Sequence, residues 1–151
     1  MNGSPGSTDR TVNPDLFEAG AVVRYPYLWL QQHRRGEETG RKSRPVCLVL
    51  AVHEPQSDLH HLALLAISSQ PPKPDQTAIE VPEMERRRAG LSGDAKAWVY
   101  VSEWNYDIAE RSFYFEPRQP RLGSFTPRFL AVIARAFKPT MTQHRSRVSR
   151  V

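Results

Sequence analysis

Apolar residues gather in short runs separated by polar loops, and these runs predict β-strands. The run from Val46 to Val52 holds seven successive apolar residues rich in valine and leucine, which is typical of a buried strand. Four further runs predict strands at 21–30, 61–68, 77–81 and 97–101. Pro26, inside the first of these, indicates an edge position or a bulge, because proline has no N–H to donate to a neighbouring strand.

Helix signals occur in two places. Near the end of the chain Thr126 can cap a helix with a proline in its first turn, and Pro139 is expected to end that helix. The apolar face of this helix recurs every four residues, in Phe129, Ile133 and Phe137. A shorter helix is predicted at 82–90. Five or six short strands with a terminal helix predict a mainly β fold with some α-helix, curved into a small β-barrel.

Composition divides the chain into three parts. Residues 1–16 are rich in Gly, Ser, Pro, Asn and Asp, and predict a disordered polar leader. Residues 17–139 carry all the strand and helix signals and predict one folded domain. Residues 140–151 are basic and have no core pattern, so they predict a disordered tail.

The charge balance favours an anionic partner. The chain has 21 Lys and Arg against 16 Asp and Glu, a formal net charge of +5, which suits nucleic acid or an acidic protein segment. A surface that is charged only for solubility is the alternative. No membrane partner is expected, because the longest apolar run is far shorter than the ~20 residues that a membrane-spanning helix needs. Cys47, the single cysteine, excludes an internal disulfide and predicts a buried, inert thiol in a cytoplasmic protein.

Several short motifs follow one another in a characteristic order. A charged loop containing Glu-Glu-Thr-Gly (37–40) leads to Arg44–Pro45 at the mouth of the most apolar strand. The next strand ends in Ser68-Ser69-Gln70, and a Leu122–Gly123 turn precedes the last helix. In order and spacing these motifs resemble the MazF/PemK (Kid) family of toxins from bacterial toxin–antitoxin pairs, over roughly residues 18 to 138.

The resemblance implies both a fold and an activity. Proteins of this family have an SH3-like β-barrel with a C-terminal helix and form homodimers. They cut single-stranded RNA without a metal or other cofactor, leaving a 2′,3′-cyclic phosphate or 3′-phosphate and a 5′-hydroxyl. In the cell an acidic antitoxin protein inhibits them. The chain is therefore expected to be an endoribonuclease toxin that cleaves mRNA and inhibits growth.

Arg44 and Ser68 are the catalytic residues that the resemblance implies. The guanidinium of Arg44, which stays charged when partly desolvated, would stabilise the extra negative charge on the scissile phosphate. Ser68 stands where the family has a threonine and keeps its hydroxyl. In the alternatives, Arg44 is a surface arginine paired with Glu37 or Glu38, and Ser68 binds its own backbone.

The same resemblance implies a set of RNA-binding residues in the adjoining loops. These are Glu38, Arg41, Lys42, Ser69, Gln70, Glu103, Trp104 and Asn105. The stretch around Glu103 departs from the family's acid/base motif, so Glu103 is a candidate general base only if the strand register shifts by one residue. The aromatic residues Tyr25, Tyr27, Trp29 and Trp104 would stack on bases if exposed, whereas core packing is the alternative.

No metal site is expected. The chain has one cysteine and no two histidines at ligand spacing, and the adjacent His60 and His61 would point to opposite faces of a strand. Three functions remain open at this point. The chain is an endoribonuclease, or a non-catalytic barrel that binds RNA or a protein, or a CcdB-like toxin that acts on gyrase through a protein contact.

Overall fold

A long hairpin of two antiparallel strands forms the centre of the computed structural model, which describes residues 11–38, 42–92 and 95–151. Strand β2 spans Arg44–Glu54 and β3 spans Leu59–Ser68, with an irregularity in the register between Leu48 and Leu50. Both strands were predicted from their apolar runs, and both are confirmed. Their middle residues are buried on both faces, which explains why the runs are continuous instead of alternating.

Six shorter strands extend this hairpin into one mainly antiparallel sheet. Strand β1 (Ala21–Tyr25) pairs with the free side of β2, and β7 (Gly123–Ser124) pairs with β1. On the other side, β3 pairs with both β5 and β6, β4 pairs with β5, and β8 pairs in parallel with β6. Their bounds are Ala78–Glu80 for β4, Trp98–Tyr100 for β5, Trp104–Ile108 for β6 and Arg147–Ser149 for β8. Among the described residues the sheet is open, so the mainly β prediction is confirmed and closure into a barrel stays a prediction.

Three helices accompany the sheet in the described part of the chain: α1 (Leu30–Arg34), α2 (Glu83–Arg88) and α3 (Pro127–Met141). The capped terminal helix is confirmed, because the hydroxyl oxygen of Thr126 accepts a hydrogen bond from the N–H of Phe129 at 3.3 Å. Pro139 was expected to end α3, but the helix continues to Met141 and Pro139 lies inside its last turn. None of these helices has the length and apolarity that a membrane span requires.

The predicted strand at 21–30 is also wrong in its second half. It ends at Tyr25, just before Pro26, and the chain forms α1 from Leu30 onward. Proline interrupts the ladder because it lacks the N–H that the next strand would need. The N–H of Trp29 then donates to the side-chain oxygen of Gln32, a local bond that favours the start of the helix.

Two apolar layers lie on the two faces of the sheet. One contains the inner face of α3, with Phe129, Ile133 and Phe137 packed against Cys47 and its neighbours. Cys47 is fully buried as predicted, and burial raises the pKa of its thiol to about 12. The other layer is covered by the turn at Pro14–Phe17 and by the loop that carries Phe115.

The described parts of the two terminal segments are more ordered than their composition indicates. Residues 1–10 lie outside the described residues, but Val12 and Leu16 of the predicted leader are buried in the core. The predicted disordered tail at 140–151 forms the end of α3, a 3₁₀ turn and strand β8. The prediction failed because a three-residue strand with one apolar position has no detectable pattern until its partner, β6, is known.

Strand β8 gives a direct test of this correction. Val148 is fully buried beside β6, so Val148→Asp is expected to lower the free energy of unfolding by about 3 kcal/mol, because it buries an unpaired carboxylate. Val151→Asp is the matched control, since Val151 is 70% exposed and should tolerate the change. Urea unfolding of both variants measures the difference. Equal stabilities would mean that the tail does not pack on the sheet.

Candidate functional site

A polar groove opens where β2 begins and β3 ends. It encloses about 610 Å³ and is bounded by α1, by the first residues of β2, by the loop after β3 and by the segment between β5 and β6. Six of the residues predicted from the sequence line it together: Lys42, Arg44, Ser68, Ser69, Gln70 and Glu103. Lys42 and Glu103 are 61 positions apart in the chain, so the fold and not sequence proximity brings this set together.

Arg44 and Ser68 lie at the ends of adjacent strands. The last residue pair between β2 and β3 is Val46 with Ala66, and Arg44 and Ser68 each lie two residues beyond it. Past this pair the two strands take different partners, since Arg44 pairs with β1 and Ser68 with β5. Side chains two residues apart on a strand project from the same face, and both residues line the groove. The first residue of β2 and the last residue of β3 therefore contribute a guanidinium and a hydroxyl to one groove.

Arg44 is half-buried and held by an aromatic ring. Its guanidinium carbon lies 5.2 Å from the centre of the Trp29 ring, a cation–π arrangement. Desolvation lowers the pKa of Arg44, yet arginine stays charged at neutral pH. Its Nε is buried and has no hydrogen-bond partner among the described residues. The alternative pairing with Glu37 or Glu38 is not found, since both line a separate cavity.

Ser68 makes the local backbone contact that was one of its two predicted roles. Its Oγ accepts a hydrogen bond from the N–H of Gln70 at 3.1 Å. This hydrogen bond restricts the rotamer of the Ser68 side chain, as the methyl group of a threonine would do at the same position. A hydroxyl that accepts one hydrogen bond can still donate its own hydrogen. Ser68 therefore remains able to donate to an oxygen bound in the groove.

Glu103 is the single carboxylate among the described residues that line the groove. It is only 5% exposed, and its Oε2 accepts hydrogen bonds from the N–H of Leu30 at 2.7 Å and from the hydroxyl of Tyr27 at 3.3 Å. Burial raises its pKa above the ordinary glutamate value, although these two hydrogen bonds act in the opposite direction. A carboxylate with a raised pKa is better suited to take up a proton near neutral pH.

The raised pKa of Glu103 predicts a specific dependence of stability on pH. The folded state holds this proton more tightly than the unfolded state, so the free energy of unfolding falls as pH rises through the folded-state pKa. Glu103→Gln cannot ionise, and its stability relative to the wild type is expected to increase as the pH rises above the ordinary glutamate pKa of about 4.3. Urea unfolding at several pH values measures this, with the exposed Glu80→Gln as control. A difference that is the same at every pH would contradict the prediction.

Sequence reasoning missed several residues of the groove. Gln31, Gln32 and Arg35 come from α1 or its end, which was read as loop, while Lys73 and Gln76 come from the loop after β3. The sequence contains one signal for the second group, because the loop after β3 carries three prolines, which restrict its backbone conformation. Together with Lys42 and Arg44, the two new basic residues make the groove lining predominantly positive.

Three of the predicted RNA-binding residues that the structure describes do not line the groove. Trp104 is buried and packs edge-on against Phe137 at 5.6 Å between ring centroids, so it belongs to the core. Asn105 is fully buried and binds the backbone of Leu28. Glu38 lines a different cavity, and Arg41 lies outside the described residues. In β6 the pairing with β3 and β8 fixes Trp104 and Asn105 inside the fold, which their polar neighbours in the sequence did not indicate.

Within the described residues no group of three His, Cys, Asp or Glu side chains has the geometry to hold a metal ion. His60 instead pairs with Glu110 at 2.6 Å, and His61 contacts the hydroxyl of Tyr106 at 2.7 Å. These histidines lie far along β3 from its end at Ser68.

No protein-family model, curated protein or solved structure matches this chain. What the protein does is therefore inferred from the groove itself. The groove combines a positive lining, one buried carboxylate, and the guanidinium of Arg44 and the hydroxyl of Ser68. This combination suits a phosphate ester better than an apolar or cationic ligand.

Proposed function

We propose that the protein is an endoribonuclease that cleaves single-stranded RNA in the cytoplasm. The observation that carries the proposal is that Arg44 and Ser68, at the ends of β2 and β3, line the same basic groove. A planar guanidinium and a hydroxyl donor at one point would hold the two non-bridging oxygens of a phosphodiester. The resemblance of the motifs to those of the MazF/PemK (Kid) family, whose members have an SH3-like barrel, supports the same function.

The groove offers a residue for each charge that develops during cleavage. The 2′-oxygen of the ribose attacks phosphorus, and its proton passes to the carboxylate of Glu103. Arg44 and Ser68 stabilise the added negative charge on the non-bridging oxygens. The bond from phosphorus to the 5′-oxygen then breaks, that oxygen takes a proton from a water molecule, and the protonated Glu103 returns its proton to the resulting hydroxide. The products are a 2′,3′-cyclic phosphate and a 5′-hydroxyl.

The lining of the groove favours a single strand over a duplex. Trp29 lies at its wall and is partly exposed, and unpaired bases stack readily on aromatic rings. Arg35, Lys42 and Lys73 add positive charge along the same opening. The resemblance extends the proposal to a homodimer inhibited by an acidic antitoxin, whose negative charge would compete with RNA for this groove.

A second candidate function is RNA binding without cleavage. It is favoured by the state of Glu103, whose side chain is almost completely buried and already accepts two hydrogen bonds through Oε2. A carboxylate fixed in this way would hold α1 in place and take no proton from RNA. The two functions share the same ligand and differ only in whether the RNA is consumed.

The deciding experiment incubates the purified protein with a long single-stranded RNA and, in parallel, with DNA of the same sequence, both in EDTA. We expect cuts in the RNA with 2′,3′-cyclic phosphate or 3′-phosphate ends and 5′-hydroxyl ends. The DNA should bind and stay intact, because it lacks the attacking 2′-hydroxyl. RNA that binds and remains whole would support the second candidate and contradict the nuclease. Cuts in the DNA would contradict the 2′-hydroxyl chemistry.

A further inference from the structure

The groove is not the only cavity at Arg44 and Ser68. A smaller cavity of about 230 Å³ lies against the same residues, and the two cavities share Arg44, Pro45, Ser68 and Ser69 in their linings. The smaller cavity is completed by Ile67 and by residues of the segment before β5. The guanidinium and the hydroxyl therefore lie at the junction of two cavities and not at the closed end of one.

The two cavities differ in chemistry. The larger one has the partly exposed ring of Trp29 and the exposed side chains of Gln31 and Gln70, whose amide groups form no hydrogen bond within the described part of the chain. Amides of this kind pair with the edges of unstacked bases, and an aromatic ring stacks on their faces. Away from the shared residues, the smaller cavity is lined by the apolar side chains of Leu91, Ala95 and Ala97 and by the polar side chains of Ser92 and Lys96.

We propose that the two cavities bind two successive nucleotides of one RNA strand, with the phosphate that joins them over Arg44 and Ser68. This assignment rests on the proposed function, which places the reacting phosphate at that pair. A cavity on each side of the pair gives both neighbouring nucleosides a place. The strand thus crosses the junction, and the smaller cavity is a second nucleotide site.

The position of Glu103 fixes the direction of the strand. Glu103 lines the larger cavity and not the smaller one. The nucleotide whose 2′-hydroxyl gives up its proton must therefore occupy the larger cavity. The nucleoside that leaves through its 5′-oxygen occupies the smaller one. The larger cavity accordingly reads the base on the 5′ side of the cut.

Three small ligands that cannot be cut separate the two sites. Adenosine 3′-monophosphate represents the larger cavity plus phosphate, and adenosine 5′-monophosphate represents the smaller cavity plus phosphate. A dinucleoside monophosphate with a 2′-deoxy first sugar spans both. Ser92→Trp places a large side chain in the smaller cavity, and the exposed Ala95→Trp is a second variant in case the first is poorly folded. Ser57→Trp, an exposed position at the opposite end of the hairpin, is the control.

Binding is measured by NMR titration or calorimetry. In Ser92→Trp or Ala95→Trp we expect affinity for the dinucleotide and the 5′-monophosphate to fall about tenfold, as for loss of one base contact. Affinity for the 3′-monophosphate should stay within about twofold of the wild type, and Ser57→Trp should leave all three ligands unchanged. An equal loss for all ligands, no loss for any, or loss of the 3′-monophosphate alone overturns the assignment, as does a wild type that does not bind the dinucleotide.

Failure of this inference is distinguishable from failure of the proposed function. If the wild type leaves RNA intact but shows the expected binding pattern, the nuclease chemistry is wrong and the two-nucleotide site stands. If the wild type cuts RNA and neither tryptophan variant changes ligand binding, the smaller cavity is not a nucleotide site and the nuclease stands.

Discussion

Replacing Arg44 with alanine is expected to lower the rate of RNA cleavage by about 10²- to 10³-fold, the effect of losing one preorganised donor to a developing oxyanion. Arg44 lines the groove together with Ser68, and its guanidinium is positioned by the ring of Trp29. The loss should appear mainly in kcat, because the charge that Arg44 stabilises is greatest in the transition state. Single-turnover cleavage of a short labelled RNA measures it.

Two further variants make this prediction specific. Arg44→Lys keeps the charge but loses the planar fork, so it should recover only part of the rate. Arg128→Ala removes an exposed arginine from the first turn of α3, outside the groove, and should cleave like the wild type. If Arg44→Ala folds and cleaves within a few-fold of the wild type, Arg44 is not catalytic. If Arg128→Ala fails equally, overall charge and not position is responsible.

The largest expected loss of stability comes from Asn105. Its side chain is fully buried, its Oδ1 accepts from the N–H of Leu28 at 2.9 Å, and its Nδ2 donates to the carbonyl of Leu28 at 2.8 Å. These two hydrogen bonds from Asn105 replace those that a neighbouring strand would make with the segment after Pro26. Asn105→Leu leaves both backbone groups buried without a partner, which should lower the free energy of unfolding by about 3–5 kcal/mol.

A comparison with a second asparagine tests the cause of this loss. Asn13 also makes side-chain contacts with backbone groups, the N–H of Asp15 and the carbonyl of Gln119. It is only partly buried, so water can replace these contacts, and Asn13→Leu should lower the free energy of unfolding by about 1 kcal/mol or less. Urea unfolding of the two variants gives the difference. A loss below about 1 kcal/mol for Asn105→Leu would contradict the role assigned to the Leu28 contacts.

The position of Arg44 at the mouth of an apolar strand has a physical explanation. Strand β2 begins at Arg44 and becomes fully buried only at Val46. The guanidinium of Arg44 therefore lies at the end of the strand, where the groove opens. The rigid strand holds the charge at one point, and partial burial strengthens its interaction with an anion. A strand end is therefore a better position for a phosphate-binding arginine than a flexible surface loop.

The sequence by itself determined the features whose causes are local. Continuous apolar runs fixed β2 and β3, and Thr126 with the apolar residues at four-residue spacing fixed the start and inner face of α3. Those patterns depend on residues a few positions apart, so they are visible in one dimension. The motif order was also sufficient to select Arg44 and Ser68, which line one groove, whereas the stretch around Glu103 departs from the motif.

Only the tertiary structure decided the features that depend on distant partners. Strand β8 exists because β6 offers it a parallel edge, and the same pairing removes Trp104 and Asn105 from the surface. The groove residues from α1 and the second cavity beside Arg44 likewise arise from segments far apart in the chain. A short strand without a run of apolar residues, such as β7 or β8, gains its stability from the ladder it joins and not from its own propensity, so no local pattern predicts it.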